Sequence, residues 1–314
     1  MELRPLGASG IVVSALALGS WQTYERISRE QGLAVMTAAR ESGITFLDDA
    51  RYDDRTGTAP IPTGYSEVVF GELFRAAGWR RDEVVVANKL WWEHWPAQSA
   101  AQELDASLAR MAFDHVDLVY AERPPEGLAV EEIVDAAAGL IASGKARAWG
   151  VLNWRPELLA DAARLAERAG APMPCAAQLV YSVPHPEAVE GREMRDALDA
   201  AGASVVASAV LAGGALSGKY AAGGGGRLED KLDEPHRRHA LAAGERLLAL
   251  AGRLGASPCQ LALAFALRGP GVASVLFGAT RPEQVVENVG ALGVAARLTD
   301  DDLAELRGVS AQVA

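Results

Sequence analysis

Eight times along this chain a short, β-rich apolar run gives way to a longer stretch of helical periodicity. The runs are Ala15–Leu18, Thr45–Leu47, Val84–Ala87, Val116–Tyr120, Ala148–Val151, Ala176–Val180, Ser204–Ala207 and Ser274–Phe277. The helical stretches are Glu30–Glu41, Glu67–Ala76, Gln98–Met111, Val130–Ser143, Pro156–Ala169, Glu187–Ala201, Pro258–Leu267 and Pro282–Leu292. A last short one covers Asp300–Arg307. Gly43, Gly144, Gly170 and Gly202 follow four of them, as left-handed stops before the next strand. Strands joined in this way run parallel through right-handed crossovers. Eight such units close into an α/β barrel, a (β/α)8 TIM barrel, more naturally than they open into a doubly wound sheet. No G-x-G-x-x-G follows the first strand, which weighs against the open alternative. Ahead of the rhythm, Leu3–Leu6 and Ile11–Val13 read as a hairpin around Gly7–Gly10.

The 314 residues suit one barrel, and no repeat or linker marks a second unit, so a single domain over 1–314 is expected. A net charge of −11 argues against nucleic acid or a membrane surface as the main partner, since both are anionic. Two cysteines, Cys175 and Cys259, lack metal-ligand spacing, so neither a disulfide framework nor a metal site is expected. No secretory leader or membrane-length apolar run is visible, and the expectation is a cytoplasmic protein. The sequence is silent on oligomeric state. Two stretches exceed ordinary loop length, Asp53–Tyr65 and Gly213–Pro235 with its Gly223–Gly226 run. Both follow strands, which places them on the face where barrels carry their sites.

Only four residues are lysine: Lys89, Lys145, Lys219 and Lys231. Lys89 closes VVVANKL, and one strand earlier GITFLDDARY ends an apolar run at Asp48 with Tyr52 four residues on. Held beside an aspartate, a buried lysine stays charged and draws down the pKa of a neighbouring phenol. These segments resemble the aldo-keto reductase superfamily, in which a strand-two aspartate, an A-x-x-Y tyrosine and a strand-three lysine form the catalytic set. The resemblance implies Tyr52 as general acid, Lys89 as its tuner and Asp48 as the lysine's partner. The family's Asp-to-Tyr spacing is one residue longer, which leaves Tyr65 in TGYSEVVFGELF as a rival.

DHVDLVYAERPP resembles the strand-four segment that ends in the family's histidine, and here Glu122 stands in its place. Steroid 5β-reductases of the same superfamily carry this change and reduce a conjugated C=C bond. A carboxyl kept neutral in an apolar pocket donates a strong hydrogen bond to a developing enolate. The alternative is that Glu122 pairs with Arg123 or Lys89 and has no catalytic task. Trp91, Trp92 and Trp95, soon after Lys89, read either as packing for a long loop or as walls of a substrate pocket, the second being favoured because three indoles on one exposed loop are costly to leave in water.

The cofactor side follows from the same resemblance. GVLNW resembles the strand-five G-V-S-N-F, with Asn153 retained and Leu152 in place of the serine; Gln178 matches the strand-six glutamine on the nicotinamide amide. VVASAVLAGGALSGKY resembles strand seven, with Ser208 where a tyrosine stacks on the ring and with Leu211 and Gly213 in the following turn. Gly19, Ser20 and Trp21 take the strand-one position. FGATRPEQVVENVGAL resembles the strand-eight turn and helix, and it supplies Gly278, Ala279, Thr280, Arg281, Gln284, Glu287 and Asn288. A helix amino end suits a phosphate, and an arginine there favours the 2′-phosphate of NADPH (NADP+). The resemblance therefore implies an NADPH-dependent oxidoreductase acting on a small-molecule carbonyl or enone. The superfamily also holds regulatory members, the potassium-channel β-subunits. The departures at Tyr52, Glu122, Leu152 and Ser208 leave open a nucleotide-binding sensor with little turnover.

Overall fold

The computed structural model describes the backbone of residues 1–220 and 235–311. Lys231 and the Gly223–Gly226 run of the second long loop lie outside the described residues.

Eight parallel strands close on themselves: β3 (Leu16–Gly19), β4 (Phe46–Asp48), β5 (Val85–Leu90), β6 (Val116–Glu122), β7 (Ala146–Leu152), β8 (Ala176–Val180), β9 (Ser204–Ser208) and β10 (Val272–Phe277). β10 pairs with β3 through Val275↔Leu16 and Phe277↔Leu18, which completes the barrel. Ahead of it β1 (Leu3–Pro5) and β2 (Val12–Ser14) form the expected antiparallel hairpin. Alternate strand residues point inward, as a period of two requires. Ala17, Phe46, Val85, Leu118, Ala148 and Ala176 fill the amino end, and Leu6, Ile11 and Val13 of the hairpin pack beneath them. That end is plugged. The inward residues one or two turns of the pleat later are polar: Asp48, Lys89, Glu122, Gln178 and Ser208.

The helices form the outer ring: α1 (Arg29–Glu41), α2 (Tyr65–Ala76), α3 (Ala100–Met111), α4 (Val130–Ala142), α5 (Pro156–Ala169), α6 (Glu187–Glu190), α7 (Arg192–Ala201), α8 (Pro235–Arg253), α9 (Pro258–Leu267), α10 (Pro282–Val289), α11 (Ala291–Arg297) and α12 (Asp300–Ala311). Three of them start with the same device. Ser28, Ser99 and Ser257 accept the N–H of the glutamine three residues on, and Gln31, Gln102 and Gln260 reach back to the cap.

Three stretches differ from the sequence reading. Glu187–Ala201 is two helices, because Gly191 is extended (ψ 139°) between them. Pro282–Leu292 divides at Gly290, which keeps helical angles (φ −58°, ψ −19°), and the second piece runs on to Arg297. α8 lies in a stretch that the apolar periodicity does not mark, yet it buries Ala240, Ala243, Leu247 and Ala251, one face at helical spacing. No single helix among the described residues is long and apolar enough to cross a membrane.

Candidate active site

Asp48 ends β4, Lys89 lies one residue from the end of β5, and both side chains are buried within the barrel mouth. Lys89 Nζ donates to Asp48 Oδ1 at 2.5 Å and lies 3.1 Å from the Tyr52 hydroxyl. The second Asp48 oxygen accepts Gln178 Nε2–H at 2.9 Å, which ties β4 to β8 across the opening. The short Asp-to-Tyr interval still brings the phenol to the lysine. Tyr65 goes elsewhere: its hydroxyl takes Arg29 at 2.9 Å at the start of α2, on the outside of the barrel.

Asp48 and Lys89 are buried and Tyr52 is partly buried, so desolvation and the cluster's own charges set its electrostatics. Burial opposes the Lys89 ammonium, but the Asp48 carboxylate and the Tyr52 oxygen outweigh it, so Lys89 titrates above its ordinary value. Burial likewise pushes the Tyr52 phenol up, and the Lys89 charge counters this without reversing it. The expected lowering of the phenol is therefore overridden by desolvation, and Tyr52 carries its proton throughout the neutral range. A protonated phenol fixed against a permanent cation is equipped to give up its proton to an acceptor and leave a phenolate that the cation stabilises.

Glu122, at the end of β6, is partly exposed; its Oε1 lies 3.5 Å from Arg123 Nε, and Lys89 is engaged with other partners. Trp91 sets its ring edge-on to Tyr52, centroids 6.0 Å apart. Trp92 turns the other way, buried in the outer core with Nε1 donating to the Glu122 carbonyl at 3.1 Å. Trp95 packs near Gly127. Of the three indoles, Trp91 is the one set against the phenol.

Around the rest of the rim the remaining candidates stand on successive strand ends. Gly19 ends β3 and Ser20 follows it, where Ser20 N–H donates to the Asp48 carbonyl at 3.1 Å and its hydroxyl to Asp49; Trp21 is half exposed. Asn153 follows β7 in a left-handed conformation (φ 53°) and its N–H bonds the Gln178 carbonyl at 2.9 Å. The Ser208 hydroxyl is spent on the Leu179 carbonyl at 3.0 Å. Leu211 leads into a 3-10 turn, Ala212–Ser217, in which Gly213 has φ 67°. After β10, Gly278, Ala279 and Thr280 turn into α10. Gln284 folds that turn, its Oε1 accepting the N–H groups of Thr280 (2.8 Å) and Arg281 (3.2 Å). Glu287 takes Ser257 at 2.6 Å, and Asn288 is buried. Arg281 is exposed at the amino end of the helix, with no carboxylate paired to it among the described residues. Lys145 pairs with Asp105 at 2.7 Å on the outside of the barrel, and Lys219 lies over the Tyr220 ring.

The family model described as "Aldo/keto reductase family" matches residues 15–311. The chain belongs to the aldo/keto reductase family. Among its relatives is a protein of Oryza sativa subsp. japonica named as a probable voltage-gated potassium channel subunit beta. It is 32% identical over 325 residues, which cover 98% of this chain and 96% of the relative.

This aldo/keto reductase family member also carries buried polar groups that no motif singled out. Asp49, fully buried, accepts the Ser20 hydroxyl, and Oδ2 has no hydrogen-bond partner among the described residues. Burial first, then the Glu67 charge, push its carboxyl well above the usual range. Glu67 in turn accepts Asn88 Nδ2 at 2.9 Å and Arg110 Nε at 2.5 Å, while Asn88 Oδ1 takes the Lys89 N–H at 2.7 Å. The sequence signals were the Asp48–Asp49 doublet and an asparagine directly before the lysine.

Proposed function

We propose that this family member is an NADPH-dependent oxidoreductase that reduces a small-molecule carbonyl or a conjugated enone, with Tyr52 as proton donor. The observation that carries the reading is the Asp48–Lys89–Tyr52 chain, 2.5 and 3.1 Å between partners, at the open end of the barrel.

The residues present fit the cofactor. Arg281 offers an exposed guanidinium at a helix amino end, with no carboxylate paired to it among the described residues, and that suits a 2′-phosphate. Asn153, Gln178 and Ser208 stand on three adjacent strand ends, and Gln178 adjoins the Asp48 carboxylate. When bound, the reduced nicotinamide supplies the hydride. Tyr52 gives its proton to the substrate oxygen, and Lys89 stabilises the phenolate that remains. Asp48 keeps Lys89 charged and aimed, and Trp91 packs edge-on against the phenol ring. Reduction adds one hydride and one proton, so Tyr52 regains its proton from solvent in each cycle.

The test is Tyr52→Phe, which keeps the ring and removes the proton. We expect kcat to fall by about 100-fold or more with NADPH affinity unchanged. Full turnover in this variant would overturn the assignment of the acid.

The channel-subunit relative favours a second reading, a nucleotide-binding regulatory protein with little turnover. Leu152 and the engaged Ser208 hydroxyl, where the family places nicotinamide contacts, support it. A panel of aldehydes, quinones and enones with NADPH separates the two. Sustained oxidation of the cofactor by any of them rules out the regulatory reading, and none by the whole panel favours it.

A further inference from the structure

The connection between β5 and α3 is held from behind by one carboxylate. Glu103, on α3, is buried, and its two oxygens accept the backbone N–H groups of Trp91 (2.8 Å) and Trp92 (3.3 Å). Trp92 sits at φ 61°, a left-handed conformation that a bulky residue adopts at a cost. The corner thus depends on its partners, and a double acceptor at its back satisfies two amides that would otherwise be stranded. Burial works against the carboxylate and the two N–H groups work for it.

Both indoles are aimed by this corner. Trp91 meets Tyr52 edge-on, and Trp92 reaches the backbone carbonyl of Glu122. A side chain outside the barrel mouth therefore bears, through two neighbours, on the phenol and on the end of β6. We infer that Glu103 is a positioning residue for the reaction: it fixes the Trp91–Trp92 corner, and Trp91 in turn fixes the Tyr52 phenol against Lys89. This rests on the assignment of Tyr52 as acid.

The test uses the full chain with Glu103→Gln and Glu103→Ala. The glutamine keeps one acceptor and turns an amide N–H toward the second backbone N–H, while the alanine removes both acceptors. In Glu103→Gln we expect kcat to fall by ~10-fold, with the KM for NADPH within about twofold of wild type. We also expect faster amide exchange in both the Trp91–Trp92 and the Tyr52 segments, because the corner that sets Trp91 against the phenol is loosened. Glu103→Ala moves further in the same direction; if it fails to fold, Glu103→Gln decides alone. Wild-type kcat overturns the inference, and so does a lower kcat with exchange unchanged at Tyr52.

If the wild-type protein turns over no carbonyl or enone, the functional reading fails by itself. The positioning is then read by hydrogen exchange in Glu103→Gln. Faster exchange in both the Trp91–Trp92 and the Tyr52 segments upholds it. Exchange unchanged at Tyr52 overturns it.

Discussion

Asp48 and Asp49 point to opposite sides of one strand end, and their surroundings give them opposite tasks. Asp48 faces the lysine, whereas Asp49 faces Ser20 and the charge of Glu67 in a dry pocket that raises its carboxyl. A folded pKa above the unfolded one means that the native state holds a proton the unfolded chain releases. Stability from this group is therefore present at acid pH and is lost as pH rises from the ordinary aspartate range toward the folded value. Asp49→Asn removes that dependence while keeping an acceptor for Ser20. Urea unfolding from acid pH to neutrality should show the variant gaining on wild type as pH rises; a constant difference would contradict the argument. Under the proposed function, Arg281→Ala should weaken NADPH binding about 10- to 100-fold and leave NADH unchanged in titration. The Asp48, Tyr52 and Lys89 set was legible because each lies in a contiguous run of matching residues. Asp49, Glu67 and Glu103 were not, since a buried carboxylate is recognisable only from partners distant in sequence. Glu67 and Arg110 are 43 positions apart.

At the scale of elements, the strands and most helices were readable from periodicity, and the misreadings have local causes. Gly191 and Gly290 sit inside runs whose apolar spacing continues across them, so spacing alone does not show the break. α8 carries its apolar face largely on alanines (Ala240, Ala243 and Ala251 beside Leu247), a faint signal next to the glycine-rich stretch before it. Packing between elements makes sharper demands. A Cβ on Gly71 of α2 would stand 2.1 Å from the Met111 carbonyl oxygen at the end of α3. Backbone cannot yield as a side chain does, so Gly71→Ala should cost about 1–3 kcal/mol in urea unfolding. Gly139, mid-way along α4, meets nothing within 4 Å, and Gly139→Ala should stabilise by about 0.5–1 kcal/mol. Equal effects at the two positions would refute the packing account.

For the whole molecule, closure rests on joints between the two ends of the chain. Ser14 is completely buried; its hydroxyl accepts the N–H groups of Thr45 (3.0 Å) and Phe46 (3.1 Å) and donates to the Leu16 carbonyl, while Ser274 bonds its carbonyl at 2.8 Å. Ser14→Ala strands those two N–H groups, at about 1–3 kcal/mol for each, and calorimetry should show a lower Tm with the barrel intact. An unchanged Tm would mean that the hydroxyl is replaceable there.

The hairpin that plugs the barrel is held by partners made long after it. Arg4 bonds the Leu267 and Val272 carbonyls, 263 and 268 positions further on, and Gly7 bonds Ser204, 197 positions further on. At roughly 5–20 residues per second of synthesis, the wait is on the order of ten seconds to a minute. Through that interval Leu6, Ile11 and Val13 have no floor to pack against, and such distant joints are slow to find one another even in a finished chain. The stopper is the first part cast and among the last parts fitted, so the unfinished barrel is exposed at the end opposite its candidate chemistry.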